Sequence, residues 1–134
     1  MSMKIHIAPT PFVMGWESMN RYAHELSRVS GLTPLLPLRP VNTPPGSRWQ
    51  RLWTRRVSYP SLIRSRVRDG ILHILDHSFA DLLPKVRPGV RKVVTLHDLI
   101  PLVAPDGISE SQQQRFQQTV NHLRLADAVS CDSA

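Results

Sequence analysis

The order of apolar runs and amphipathic segments predicts an α/β fold built around a doubly wound parallel sheet. Short, near-continuous apolar runs are typical of strands buried on both faces, and five occur, at residues 4–8, 32–38, 70–75, 91–96 and 128–131. Segments with helical spacing of apolar residues lie between several of these runs. Strands that alternate with helices form parallel sheets, in which functional groups collect in loops beyond the carboxyl ends of the strands.

The first predicted helix follows the loop after residues 4–8. Apolar side chains recur there at the spacing of one helical face: Met19, Tyr22, Ala23, Leu26 and Val29. Gly31 comes next, at a position where a left-handed helix cap is expected. The following apolar run carries Pro34 and Pro37, which cannot donate backbone hydrogen bonds, so we expect an edge strand there or a strand of which only part is paired.

Two further helices are predicted in the second half of the chain. A short one covers residues 78–83, between the third and fourth strands. Ser109 and Gln112 match a capping box at the start of the last helix. The apolar stripe of that helix consists of Phe116, Val120 and Leu123.

Length and composition indicate one globular domain. The chain has 134 residues, of which 41% are hydrophobic, enough for one core and too few for a second domain. Its single cysteine, Cys131, cannot form an internal disulfide, which favours a reducing compartment. The amino terminus lacks the apolar core of a signal peptide, and no run reaches the roughly 20 apolar residues of a spanning helix. We therefore expect a cytoplasmic protein that reaches a membrane, if at all, as a peripheral protein on its inner face.

All of the excess positive charge lies in one arginine-rich segment, residues 48–68. The chain carries 17 basic and 10 acidic residues, a net charge of +7, and this segment has seven arginines and no acid. Four large apolar side chains share one helical face there: Trp49, Leu52, Trp53 and Val57. Pro60 is expected to end this helix.

Two interpretations of the arginine-rich segment stay open. In the first, the tryptophans pack into the core and the arginines are solvated. In the second, the segment is a membrane face, because indoles settle at the headgroup level and arginines attract anionic lipid. The residues of that face are Trp49, Arg51, Trp53, Arg55 and Arg56. Nucleic acid is the weakest alternative, since no nucleic-acid-binding motif accompanies the basic patch.

Candidate chemistry lies in the loops after the predicted strands. His97 and Asp98 follow residues 91–96, so the imidazole emerges at the carboxyl edge of the sheet, where it can donate, accept or orient a substrate hydroxyl. The alternative is a histidine that only hydrogen-bonds a neighbouring loop. His73, Asp76, His77 and His97 are candidate metal ligands. The alternation of side chains along the strand, however, separates the Asp76 carboxylate from His73 and His77, so no metal is expected.

Gly15 lies between the first strand and the first helix. A glycine there lets backbone N–H groups and a helix N-terminus approach a phosphate, although a plain turn explains it equally well.

Three segments of the sequence, residues 73–80, 93–101 and 125–133, resemble the amino-terminal half of family 4 glycosyltransferases. Those enzymes have the GT-B fold, two Rossmann-like domains that face each other across a cleft. The resemblance implies that residues 1–134 form an incomplete Rossmann-like acceptor-binding domain. The implied reaction is retaining transfer of a sugar, without a metal, from a nucleotide-sugar donor to a glycan or lipid-linked acceptor.

The same resemblance implies roles for individual residues. His97 and Asp98 correspond to catalytic cleft residues, and Gly15 with Trp16 to the loop near the donor phosphates. The residues implied in the acceptor cleft are Asp76, His77 and Ser78. Many relatives have two glycines where this chain has Gly15 alone.

The half that binds the nucleotide sugar is absent from this sequence, so a further domain or a partner chain would supply it, and we expect the chain alone to be inactive. The alternative function is a non-catalytic Rossmann-like module that binds an anionic membrane or a protein partner through the arginine-rich segment.

Overall fold

A five-stranded parallel sheet forms the centre of the protein. The computed structural model describes residues 3–11, 17–29, 31–36, 46–97, 107 and 109–131. The strands are β1 (Ile5–Ala8), β2 (Leu32–Pro34), β3 (Ile71–Ile74), β4 (Arg91–Leu96) and β5 (Ala128–Cys131). Their order across the sheet is β2-β1-β3-β4-β5, and every neighbouring pair is parallel. The predicted α/β class and parallel sheet are confirmed.

Helical segments connect the strands. They are α1 (Glu17–Ser27), α2 (Arg48–Trp53), a π-helical turn (Thr54–Ser58), α3 (Tyr59–Arg66), a 3-10 segment (His77–Lys85) and α4 (Glu110–Leu123). From β1 the chain steps outward to β2 through α1, whereas the later connections progress in the opposite direction across the sheet. Because parallel crossovers are right-handed, this reversal places α1 on one face and the later helices on the other.

Two apolar clusters show that helices cover both faces. Ile7 on β1 packs with Ala23 on α1, whereas its neighbour Ala8 belongs to the larger cluster on the opposite face. The largest fully buried members of that cluster are Tyr59, Ile63, Leu72, Ile74, Phe79, Leu82, Leu83, Val67 and Val94. Consecutive strand residues thus face different helices, which explains why the strand sequences are apolar without alternation.

The second strand is at an edge of the sheet, as its prolines predicted, but it is shorter than predicted. β2 ends at Pro34 rather than at residue 38. Pro34 has no N–H to donate, and after Leu35 donates a 3.0 Å hydrogen bond to the Ile7 carbonyl the chain bends away from β1. Residues 37 and 38 of the predicted strand lie outside the described residues.

Two other local predictions are wrong. Val29 is 54% exposed instead of packed, because α1 ends at Ser27 and Gly31 follows with a left-handed φ of 87°. Pro60 does not end a helix but occupies the first turn of α3. The helical backbone continues from the π-helical turn into α3, with Tyr59 N–H donating to the Thr54 carbonyl, so Pro60 follows a widened turn that accommodates a residue without an N–H.

The last helix begins as predicted. The Ser109 hydroxyl accepts from the Gln112 N–H at 3.3 Å, and the Gln112 side chain accepts from the Ser109 N–H at 3.1 Å, which completes the capping box. Phe116 is buried, and Leu123 packs against the larger cluster. The helix thereby covers the 3-10 segment.

Candidate functional site

The strand order places the switch point of the sheet at the carboxyl ends of β1 and β3, and we call this edge the crevice. Their connections depart in opposite directions, and in open α/β sheets ligands bind at such a switch point. Thr10 follows β1 and Asp76 follows β3, and both are buried. The Thr10 hydroxyl donates a long, 3.5 Å hydrogen bond to Asp76 Oδ2, so polar groups form the floor of the crevice.

Asp76 is held firmly in this position. Its Oδ1 accepts from the Ser78 N–H at 3.1 Å, and its Oδ2 accepts from the Ser78 hydroxyl at 2.8 Å. The backbone of Asp76 is extended, and its side chain caps the 3-10 segment that follows. The carboxylate is therefore a fixed acceptor at the crevice, and Ser78 is its direct partner.

Two histidines lie side by side at the carboxyl ends of β3 and β4. His97 Nε2 is 2.6 Å from the Leu75 carbonyl, which only accepts, so Nε2 carries the hydrogen. The His97 N–H donates to His77 Nδ1 at 3.3 Å, which leaves the hydrogen of a neutral His77 on Nε2. With the ring centroids 6.3 Å apart, both imidazoles have defined tautomers and orientations.

Aromatic rings support this pair from two helices. Tyr22 on α1 packs edge-on against His97, with ring centroids 5.2 Å apart, and Phe116 on α4 packs edge-on against His77 at 5.8 Å. Asp76 Oδ1 lies 3.7 Å from His77 Nδ1, close enough for an ion pair when His77 is protonated.

The structure brings together four of the predicted site residues: Asp76, His77, Ser78 and His97. It adds Thr10, which stands between two prolines in the sequence, and Tyr22, which belongs to the apolar stripe of the first predicted helix. The signal that could have found Thr10 is its place directly after a strand, at the same edge as Asp76. Asp98, Gly15 and Trp16 lie outside the described residues, so their roles stay predictions.

His73 belongs to a different polar group. Its Nε2 is 2.7 Å from the Thr95 hydroxyl, which in turn is 2.9 Å from the Ser130 hydroxyl, so the three side chains link β3, β4 and β5. Burial lowers the pKa of His73 below its ordinary value of 6.5 and keeps the ring neutral. Within the described ranges, no three histidine, cysteine or acidic side chains are grouped to hold a metal ion.

The arginine-rich segment does not pack its tryptophans into the core. Trp49 is 79% exposed and Trp53 63% exposed, and none of the residues of α2 is buried. The first of the two interpretations of this segment is therefore wrong. Leu52 and Val57, which share the predicted helical face with the tryptophans, are exposed as well.

Arg55 differs from the other arginines of the predicted membrane face. It donates a 2.9 Å hydrogen bond to the Ser78 carbonyl, its Nη1 lies 3.8 Å from Asp81 Oδ1, and its guanidinium carbon is 4.3 Å from the centre of the Phe79 ring. These contacts turn Arg55 toward the body of the protein, whereas Arg51 and Arg56 are exposed. Arg55 thus ties the segment to the loop that carries Asp76 and His77.

None of the helices in the described part of the chain has the length and apolarity needed to cross a bilayer. No known protein family, curated protein or solved structure matches this chain.

Proposed function

We propose that the chain is the acceptor-binding half of a retaining glycosyltransferase that uses a nucleotide-sugar donor and has the GT-B fold. The observation that carries the proposal is the crevice cluster, in which His97, His77 and Asp76 meet at the switch point of a parallel sheet. The sequence supports the proposal because Asp76, His77 and His97 lie in the segments that resemble family 4 glycosyltransferases. A carboxylate and oriented imidazoles are the groups that bind and orient sugar hydroxyls.

In this proposal the chain contributes one wall of a cleft. Asp76 accepts from an acceptor hydroxyl, and His97 contacts the sugar at the reaction centre. The opposite wall, which holds the nucleotide, comes from a further domain or a partner chain. Because transition-state stabilisation needs both walls, half a cleft is expected to bind acceptor without transferring sugar.

The test is sugar transfer by a protein in which this chain is paired with its donor-binding half. His97→Ala should lower the turnover rate by about 100-fold or more while donor affinity stays near that of the wild type. His24→Ala, a histidine on α1 outside the crevice, is the matched control and should retain the rate. Wild-type turnover by His97→Ala would exclude His97 from the reaction.

A second candidate function is docking on an anionic membrane surface. The observation that favours it is the exposure of Trp49 and Trp53 next to arginines on one helical segment. Exposed indoles insert at the headgroup level, and the arginines would add attraction to anionic lipid that weakens with salt.

Liposome flotation tests this docking. Vesicles that contain anionic lipid should carry the protein at low salt, and the double variant Arg51→Glu/Arg56→Glu should lose most of that binding. Arg91→Glu/Arg124→Glu makes the same charge change at exposed positions outside the segment and should retain it. Equal losses in the two variants would show that net charge, rather than this face, governs the association.

A further inference from the structure

A basic groove lies between the arginine-rich segment, the 3-10 segment and α4. Its main part has a volume of about 680 Å³ and adjoins a second part of about 640 Å³, with which it shares the lining residues Arg55, Arg56, Ser78, Arg115 and Thr119. The cationic side chains that line the two parts are Arg48, Arg51, Arg55, Arg56, Lys85 and Arg115. The acidic lining residue is Asp81.

One guanidinium of the groove is fixed before any ligand arrives. The hydrogen bond to the Ser78 carbonyl and the packing on Phe79 hold Arg55 in one place. Its separation from Asp81 Oδ1, 3.8 Å, is too long for a hydrogen bond. A fixed guanidinium loses little conformational entropy on binding an anion, which favours affinity.

Two consecutive arginines line the groove from within the π-helical turn Thr54–Ser58, in which the hydrogen bonds span five residues instead of four. Such turns are frequent at functional sites. Across the groove, Arg115 projects from α4, and within the described residues neither Arg56 nor Arg115 is paired with a carboxylate.

The charge in this groove is unbalanced. Among the described residues, six cationic side chains and one carboxylate line the groove, and like charges that share one groove repel each other unless an anion lies between them. Guanidinium groups bind phosphate through paired N–H donors, and a phosphate accepts from several cations at once. Thr119 and Gln118 supply further polar groups in the same wall.

We propose that the basic groove binds a phosphate ester, with Arg55, Arg56 and Arg115 as its principal contacts. The cations line one groove, and in the part of the chain that the structure describes its lining contains no Phe, Tyr or Trp on which nucleic-acid bases could stack. The groove therefore suits a compact phosphate group rather than a nucleic-acid strand. The proposal does not depend on sugar transfer, because none of these residues belongs to the crevice cluster.

The phosphate can come from a soluble ester or from a lipid headgroup. Both sources carry a phosphate group, and calorimetric titration of the full chain with inorganic pyrophosphate at low salt measures phosphate binding without a membrane. Arg56→Gln and Arg115→Gln should each weaken pyrophosphate binding about tenfold. Arg66→Gln removes the same charge from exposed α3, outside the groove, and should change the affinity less than about twofold.

Flotation with phosphatidylcholine vesicles that contain phosphatidic acid distinguishes the two sources. Vesicle binding that pyrophosphate displaces and Arg115→Gln abolishes identifies a lipid headgroup, whereas pyrophosphate binding without vesicle binding identifies a soluble ester. Either outcome supports phosphate binding in the basic groove. Absence of pyrophosphate binding, equal weakening by Arg66→Gln and Arg115→Gln, or binding of single-stranded DNA alone would overturn the proposal.

Discussion

The hydroxyl of Tyr59 donates a 2.5 Å hydrogen bond to the carbonyl of Pro9. Tyr59 is the first residue of α3, and Pro9 lies in the loop after β1, directly before Thr10. With the Arg55 contact to the Ser78 carbonyl, this bond fastens the arginine-rich segment to both loops of the crevice. The crevice and the basic groove are thus built on one shared framework.

Loss of the Tyr59 hydroxyl should destabilise the fold. Tyr59→Phe keeps the ring packed 5.9 Å from that of Phe79 and removes only the donor to a buried carbonyl. We expect a loss of about 1–3 kcal/mol in the free energy of unfolding, measured by urea denaturation. A variant as stable as the wild type would show that water satisfies the Pro9 carbonyl instead.

Of Gly31, Gly70, Gly89 and Gly107, Gly70 should tolerate substitution least. It has a φ of 83°, and a Cβ there would lie 2.3 Å from the Lys4 carbonyl oxygen, next to the start of β3. Gly89 is a matched control, since its φ is 90° and a Cβ at that position would meet nothing within 4 Å. Gly89→Ala should cost about 1–2 kcal/mol from the left-handed backbone alone, and Gly70→Ala at least about 2 kcal/mol more from the clash. Equal losses of stability in Gly70→Ala and Gly89→Ala would contradict the close approach of Gly70 to the Lys4 carbonyl.

Stability should fall in mild acid because of His73. Its pKa is below 6.5 in the folded protein, so between that lowered pKa and pH 6.5 the unfolded chain binds more protons. The free energy of unfolding therefore decreases as the pH falls below 6.5, by at most about 1.4 kcal/mol per pH unit from this group. Urea denaturation of His73→Gln across the same range should show a shallower dependence. Identical slopes would mean that His73 protonates freely in the folded protein.

The sequence predicted features that depend on local pattern and missed those created by topology. Buried parallel strands are visible as apolar runs, and the Ser109–Gln112 capping box needs only its own turn. The sequence could not decide between a packed and an exposed Trp49, because helical spacing shows that a face exists without showing what covers it. Thr10 and Asp76 are 66 residues apart, and only the strand order brings them together.

Proline positions were informative but ambiguous. Pro34 correctly indicated an edge strand, a position at which its missing N–H costs no ladder hydrogen bond. Pro60 was expected to end a helix, but it lies in the first turn of α3, directly after the π-helical turn. The π-helical turn before Pro60, which carries Arg55 and Arg56, has no sequence signal of its own.

The most direct test of the proposed function is sugar binding at the crevice, followed through the backbone amide signals of the isotope-labelled chain in NMR. The panel consists of methyl glycosides of glucose, mannose, galactose, N-acetylglucosamine and glucuronic acid. We expect at least one glycoside to shift the amides of Thr10, Ser78 and His97, with Trp49 unaffected and the shifts lost in His97→Ala. No response to any glycoside, or shifts confined to residues outside the crevice, would contradict an acceptor site there.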